Sequence, residues 1–277
     1  MKITCFADEI SPLLSDQLRV MEDLGIRWMD LRSCWDTPVL KLNRRQMEDI
    51  RAMAQGKGIG ISCIGSVIGK EAIENPLEPG LEQLRQAAQA AQLCGCRYIR
   101  IFSYYPGQMD RAEALKIATE RLSAMAEIAR AEIARAENVV LVVESAKVTS
   151  CGTGRELARL LGDVASRNLK AVFDPAAFVA AGEDPFDQSL PAVDPWLEYV
   201  HIKDSRKGQK ERFVAGEGDG QVAQVLNALR ERNDLFLSLE PHLSYAGPAG
   251  GFSGEGNFRR AHGALIQILK GQGICYA

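Results

Sequence analysis

The sequence predicts an α/β fold, a (β/α)8 TIM barrel formed by one domain over residues 1–277. Three observations carry this expectation. Eight short apolar and β-branched runs recur at a spacing of roughly 35 residues, which fits a closed barrel better than an open doubly wound sheet. Helical patterns separate the runs, so the strands pair in parallel through right-handed crossovers. No Gly/Ser/Pro-rich linker divides the chain, and 46% hydrophobic with 25% charged residues are enough to build a full core.

In order, strands are expected over residues 3–6, 28–31, 60–64, 98–102, 139–143, 170–173, 199–202 and 236–239. They are near-continuous apolar runs, as required when both faces are buried. Helices are expected over residues 17–24, 45–55, 81–93, 111–136, 154–164 and 222–232. The fourth helix carries a tandem five-residue repeat, AEIARAEIARAE, at residues 126–137. Five residues advance a helix by about 500°, so the two copies cannot present the same face. The repeat reads as a long or bulged outer helix with no chemistry of its own.

The composition excludes several classes. Thirty-three basic against 36 acidic residues give a net charge of −3, without the basic surplus of a nucleic-acid binder. The seven cysteines are odd in number and contain no CxxC pair, which points to reduced thiols and a cytoplasmic protein rather than a zinc knuckle or disulfide framework. Asp8 and Glu9 interrupt any signal-peptide core. No uncharged apolar run approaches ~20 residues, so no membrane span is expected.

In such a barrel the chemistry belongs at the C-terminal ends of the strands. Strand five ends in Glu144, strand six in Asp174, strand seven runs into His201, and strand eight ends in Glu240. The ring therefore gathers three carboxylates and an imidazole that lie 27 to 39 residues apart in sequence. Carboxylates crowded in a cleft raise one another's pKa, and one divalent cation resolves the repulsion. Oxygen-rich ligation with one imidazole suits Mn2+, Mg2+, Co2+ or Zn2+. Taken alone, each residue has a plainer reading; Asp174 before Pro175, for instance, has the form of a helix N-cap.

The first half supplies Asp8 and Glu9 after strand one, Asp30 and Arg32 on strand two, and Ser66 and Lys70 after strand three. Glu9, Arg32 and Lys70 are candidates for substrate contact, with rim salt bridges as the plainer reading. Lys203 lies two residues after His201, so both face the barrel interior if the strand continues. It is placed to hold an oxyanion or a hydroxyl, or to pair with a carboxylate. His242, two residues after Glu240, is a further candidate. The AGEGDG segment at residues 215–220 lacks the lysine and spacing of a phosphate loop, and reads as a flexible active-site loop.

The segments FADEIS, SVIGK, RIFSYY, VVES, FDPAAF, HIKD, AGEGDG and SLEPHL, in this order, resemble the xylose isomerase-like sugar phosphate isomerase/epimerase superfamily. The C-terminal FRRAHGALIQIL looks like the closing helix of that family. The resemblance matches Glu144, Asp174, His201 and Glu240 to the family's metal ligands. It implies a divalent-metal-dependent reaction next to a carbonyl, passing through an enediolate, with Glu144 and Glu240 as general base and acid. It also implies a substrate-contacting arginine beyond the strand-seven histidine, here Arg206. Three positions depart from the family: Ala177 where Asn or His is common, Ser150 where ketose 3-epimerases carry a second Glu, and Ser145-Ala146 where Asn-His is common. These leave the metal set intact and alter the substrate shell.

The expected function is a metal-dependent isomerase or epimerase of carbohydrate metabolism, acting on a small sugar, sugar phosphate or polyol-derived ketone. The alternatives are a dehydratase of the inosose dehydratase kind, with Lys203 or His242 as proton donor, and a non-catalytic sugar-binding barrel. A nuclease like the apurinic endonucleases of this architecture needs a histidine-rich three-zinc site, and the chain has only three histidines. Family barrels often form dimers or tetramers, so a homo-oligomer accords with the resemblance, although no stretch of the sequence marks an interface.

Overall fold

The computed structural model describes residues 1–133, 139–247 and 250–277. Eight parallel strands form the expected barrel: β1 (Lys2–Cys5), β2 (Trp28–Leu31), β3 (Gly60–Gly65), β4 (Tyr98–Ile101), β5 (Val140–Glu144), β6 (Leu169–Phe173), β7 (Leu197–Ile202) and β8 (Phe236–Leu239). Neighbours pair in sequence order from β2 round to β8, and β8 pairs with β1. A parallel bridge from Phe6 to Asp30 brings β1 to β2 and nearly closes the ring.

The outer layer comprises α1 (Leu14–Leu24), α2 (Arg44–Gly56), α3 (Glu78–Cys94), α4 (Arg111–Ile133), α5 (Gly154–Val164), α6 (Pro175–Ala181), α7 (Val222–Ala228) and α8 (Gly254–Gly271). The sequence logic is clearest in α5. Thr153 and Glu156 form a capping box, and Leu157, Leu160 and Leu161 make the buried stripe. The helix expected at 222–232 stops at Ala228. Arg232 instead turns toward Leu197 O (3.0 Å) and the Asp194 carboxylate (2.7 Å), which redirects the chain into β8. The five-residue repeat continues α4 as far as Ile133; its remainder, with the expected helix end at residue 136, lies outside the described residues. No described helix is long and apolar enough to cross a membrane.

Strand alternation positions the site. Every second residue of a barrel strand points inward. Val140 and Val142, Tyr98, Val172, Tyr199 and Phe236 fill the interior. Further steps of two along the same strands lead to Glu144, Asp174, His201 with Lys203, and Glu240 at the C-terminal rim. Asp30 lies in the interior and accepts hydrogen bonds from Thr4, Ser62, Tyr199 and Ser238. It is therefore part of a buried hydroxyl network, not a substrate contact.

Candidate metal centre

Glu144, Asp174, His201 and Glu240 are all buried, and one ligand atom from each lies within 4.8 Å of the others. His201 Nδ1 sits 3.1 Å from Glu240 Oε2 and 3.5 Å from Glu144 Oε1. At neither contact does the ring nitrogen have hydrogen-bond geometry, so it is a buried polar atom without a partner. A nitrogen and two carboxylate oxygens at such separations, with no bond between them, fit donors that converge on a shared cation. The set of three carboxylates and one imidazole fits a hard or borderline divalent ion. Asp174 does two jobs. Its Oδ1 caps α6 by accepting from Ala177 N at 3.2 Å, while its Oδ2 faces the cluster. The N-cap reading and the ligand reading are thus both satisfied by one side chain, and Ala177 contributes its backbone N–H.

Three cations stitch the cluster together. Lys203 Nζ is 3.0 Å from Asp174 Oδ2 and 3.4 Å from Glu144 Oε1, and it also pairs with Glu240 Oε2. Arg100 Nη1 reaches Glu144 Oε2 at 3.1 Å and Glu240 Oε1 at 3.2 Å. Arg32 Nη1 reaches Glu240 Oε1 at 3.1 Å, with its Nε on Asp8 at 2.8 Å. Each catalytic-candidate glutamate therefore turns one oxygen to Lys203 and His201 and the other to Arg100. Burial alone would raise both carboxyl groups, but Lys203 and the other neighbouring cations hold them well below the usual range. Asp174 is raised, with burial the larger effect. His201 is pushed up to about 9; burial opposes this, and Glu144 and Glu240 prevail.

Two guanidinium groups pack on Phe6, Arg32 at 4.9 Å and Arg100 at 4.7 Å from the ring centroid. Phe102 in turn carries Arg100 at 4.9 Å and Lys70 at 4.2 Å from its ring centroid. Arg100 is one of the largest fully buried side chains. Sequence reasoning missed it. The available signal was a charged residue inside YIRI, an otherwise apolar strand buried on both faces.

The remaining expected site residues fall in different places. Glu9 is fully buried and accepts from His242 N (2.9 Å) and Ser253 Oγ (2.6 Å). Burial pushes its carboxyl up to about 8. His242 Nε2 lies 3.1 Å from Glu9 Oε1 and 3.4 Å from Glu240 Oε1, and burial lowers the imidazole to about 4. His242 also has a left-handed backbone (φ 51°), and a Cβ at Gly251 would lie 1.9 Å from its ring. Arg206 is turned away from this group. It is exposed, donates to Glu217 O at 2.9 Å and stacks on Phe213. The AGEGDG loop is more ordered than its glycine content suggests. The Asp204 carboxylate accepts from the N–H groups of Ser205, Gly216, Gly218 and Gly220. A Cβ at Gly218 would lie 2.4 Å from that carboxylate, which explains the glycine there. Ser145 and Ser150 spend their hydroxyls on Cys151 O and Tyr104 O.

No curated protein sequence matches the chain. Solved structures share its fold along nearly the whole length. The "probable 3-DHS dehydratase AsbF" from Bacillus anthracis aligns with TM-score 0.74 and 19% identity, covering 96% of this chain and 99% of that one. The IOLI protein, solved with a bound zinc atom, aligns with TM-score 0.75 and 18% identity over 98% and 99%. D-psicose 3-epimerase from Clostridium cellulolyticum H10, solved with D-tagatose, aligns with TM-score 0.73 and 15% identity over 98% and 99%. At these identities the likeness is one of fold. A family model for the xylose isomerase-like TIM barrel matches residues 18–266, and the chain belongs to that family.

Proposed function

We propose that the protein is a divalent-metal-dependent isomerase or epimerase that moves a proton next to the carbonyl of a small sugar or polyol derivative. The observation that carries this reading is the shared orientation of Glu144 and Glu240. One guanidinium, Arg100, holds an oxygen of each, and the other oxygen of each faces the cluster. A divalent ion held by Glu144, Asp174, His201 and Glu240 would supply Lewis acidity, lowering the cost of negative charge beside the carbonyl. The chain's own residues do the proton work. Glu144 and Glu240 come from strands on different sides of the ring, and both are held ionised, as a general base requires. One would remove the proton from the substrate carbon, and the other, protonated from solvent before substrate binds, would deliver its own proton to the opposite face. Arg100 fixes the two carboxylates in place.

A metal titration together with proton NMR in D2O tests this. Wild-type protein should bind about one Mn2+ and wash solvent deuterium into a ketose without loss of mass. Glu144→Gln and Glu240→Gln should each slow exchange by about 10²–10⁴-fold, the usual contribution of a positioned acid or base. Full exchange in both variants would sink the mechanism. Dehydration is the second reading. It is favoured by Lys203 and His242, two nitrogen groups beside Glu240 that can serve a leaving hydroxyl. Loss of water from the product distinguishes it. Tight sugar binding without either outcome would mark a non-catalytic barrel. The D2O experiment addresses a small-molecule carbohydrate partner; light scattering addresses self-association.

A further inference from the structure

We infer that Lys70 is the anchor for an oxyanion carried by the substrate, so that the molecule turned over is an anionic carbohydrate derivative, not a neutral sugar. This deepens the proposed function and rests on it for the metal.

The first observation is placement. Lys70 ends the turn that follows β3. Lys70 N donates to Val67 O at 2.9 Å, Phe102 N to Ile68 O at 2.8 Å, and Tyr104 N to Gly69 O at 2.8 Å. Gly69 has φ +81°, and a Cβ there would lie 2.1 Å from Phe102 O. The turn is therefore clamped against the end of β4, and only glycine fits the approach. This holds the half-buried lysine over the Phe102 ring, 4.2 Å from its centroid; Arg100 packs on the same residue at 4.9 Å.

The second observation is its lack of a partner. Among the described residues, Arg32 is paired with Asp8 and Glu240, Arg100 with Glu144 and Glu240, and Lys203 with Asp174, Glu144 and Glu240. Lys70 has no ion pair or side-chain hydrogen bond, although the charges of Arg100 (β4), Glu144 (β5), Lys203 (after β7) and Glu240 (β8) reach it. Burial and Arg100 lower its ammonium to about 8, the signature of a desolvated cation awaiting a counter-charge.

The third observation is the balance of the floor. The carboxylates Asp8, Glu144, Asp174 and Glu240 are each already paired with Arg32, Arg100 or Lys203. A divalent ion would add two positive charges to a group whose carboxylates are already paired. A carboxylate on the substrate would offset one of these charges and a phosphate up to two, and Lys70 is the donor left to receive either. Phosphate and carboxylate share this chemistry, and the test separates them.

Inorganic phosphate and malonate should be titrated calorimetrically into Mn2+-loaded wild type, Lys70→Gln and Lys70→Arg, after Mn2+ binding to each protein has been measured. The expected result is at least tenfold weaker anion binding in Lys70→Gln, near wild-type binding in Lys70→Arg, and the same Mn2+ affinity in all three. Preference for phosphate assigns a phosphoryl group, and preference for malonate a carboxylate; either supports the site. Equal anion binding by wild type and Lys70→Gln, or no binding of either anion by wild type, overturns it. These outcomes are separable from failure of the proposed function. Normal Mn2+ binding and proton exchange with Lys70-independent anion binding would remove the anchor and leave the isomerase. Lys70-dependent anion binding in a protein that takes up no Mn2+ would do the reverse.

Discussion

Lys203 holds its ammonium 3.0 Å from Asp174 Oδ2, inside the group of carboxylates that forms the candidate metal site. The lysine thus balances, from within, charge that a divalent ion would also balance. Lys203→Met should destabilise the metal-free protein by about 3–5 kcal/mol, as expected when a buried pair loses one partner. The same change should tighten Mn2+ binding, because a cation no longer repels the ion. Urea unfolding in chelator, beside Mn2+ calorimetry, checks both; weaker Mn2+ binding in the variant would contradict this role.

His201 must lose its proton to act as a ligand. Without metal its imidazole is raised to about 9 by Glu144 and Glu240. Below that pH one proton leaves for each ion bound, so the apparent Mn2+ affinity should rise with pH, by up to tenfold per unit, and level off near pH 9. Calorimetry in buffers of differing ionisation enthalpy reads the proton directly. A pH-independent affinity between pH 6 and pH 8 would be inconsistent with ligation by His201.

Arg100 is fully buried between Phe6 and Phe102 and serves both glutamates. Arg100→Met should cost about 3–5 kcal/mol in denaturant unfolding, since it leaves two carboxylates short of a donor. Arg100→Lys should recover part of the stability and less of the turnover. A single ammonium supplies charge but cannot present the same planar group to both rings and both carboxylates. Equal recovery of stability and turnover would argue against a positioning role.

Glu9 has a raised folded-state pKa of about 8 against an ordinary value of 4.5. The unfolded chain therefore releases this proton first, and stability falls as pH climbs from about 4.5 to about 8. The penalty from this group reaches roughly 3 kcal/mol at pH 7, at ~1.4 kcal/mol per unit. Glu9→Gln keeps an acceptor for His242 N and Ser253 Oγ and removes the ionisation. It should flatten the slope and raise stability at pH 7. Melting curves across pH 5 to 8 for both proteins test this; parallel curves would refute the assignment.

Much of the architecture was legible in the sequence because barrel strands are buried on both faces and announce themselves as apolar runs. The grouping of polar residues at the rim was legible for the same reason. A polar residue that closes such a run has one place to go, and Glu144, Asp174, His201 and Glu240 all went there. The α6 helix was signalled only by its start, Asp174 before Pro175, because seven residues are too few to show a helical apolar stripe. Arg206 failed in the opposite sense. A long side chain on a loop takes its direction from nearby partners, and the carbonyl of Glu217 and the ring of Phe213 drew it outward.

By itself the sequence determined a barrel and the identity of four groups at one rim, because strand period and strand order act locally and repeat. Only the tertiary structure decided how the charges among those groups are matched. Arg100 bridges two glutamates that lie 96 residues apart in sequence, Lys203 enters the carboxylate group, and Lys70 has no ion pair among the described residues. Pairings of this kind depend on distances across the closed ring. No spacing along one chain segment encodes them, since each requires several strands to be in place at once.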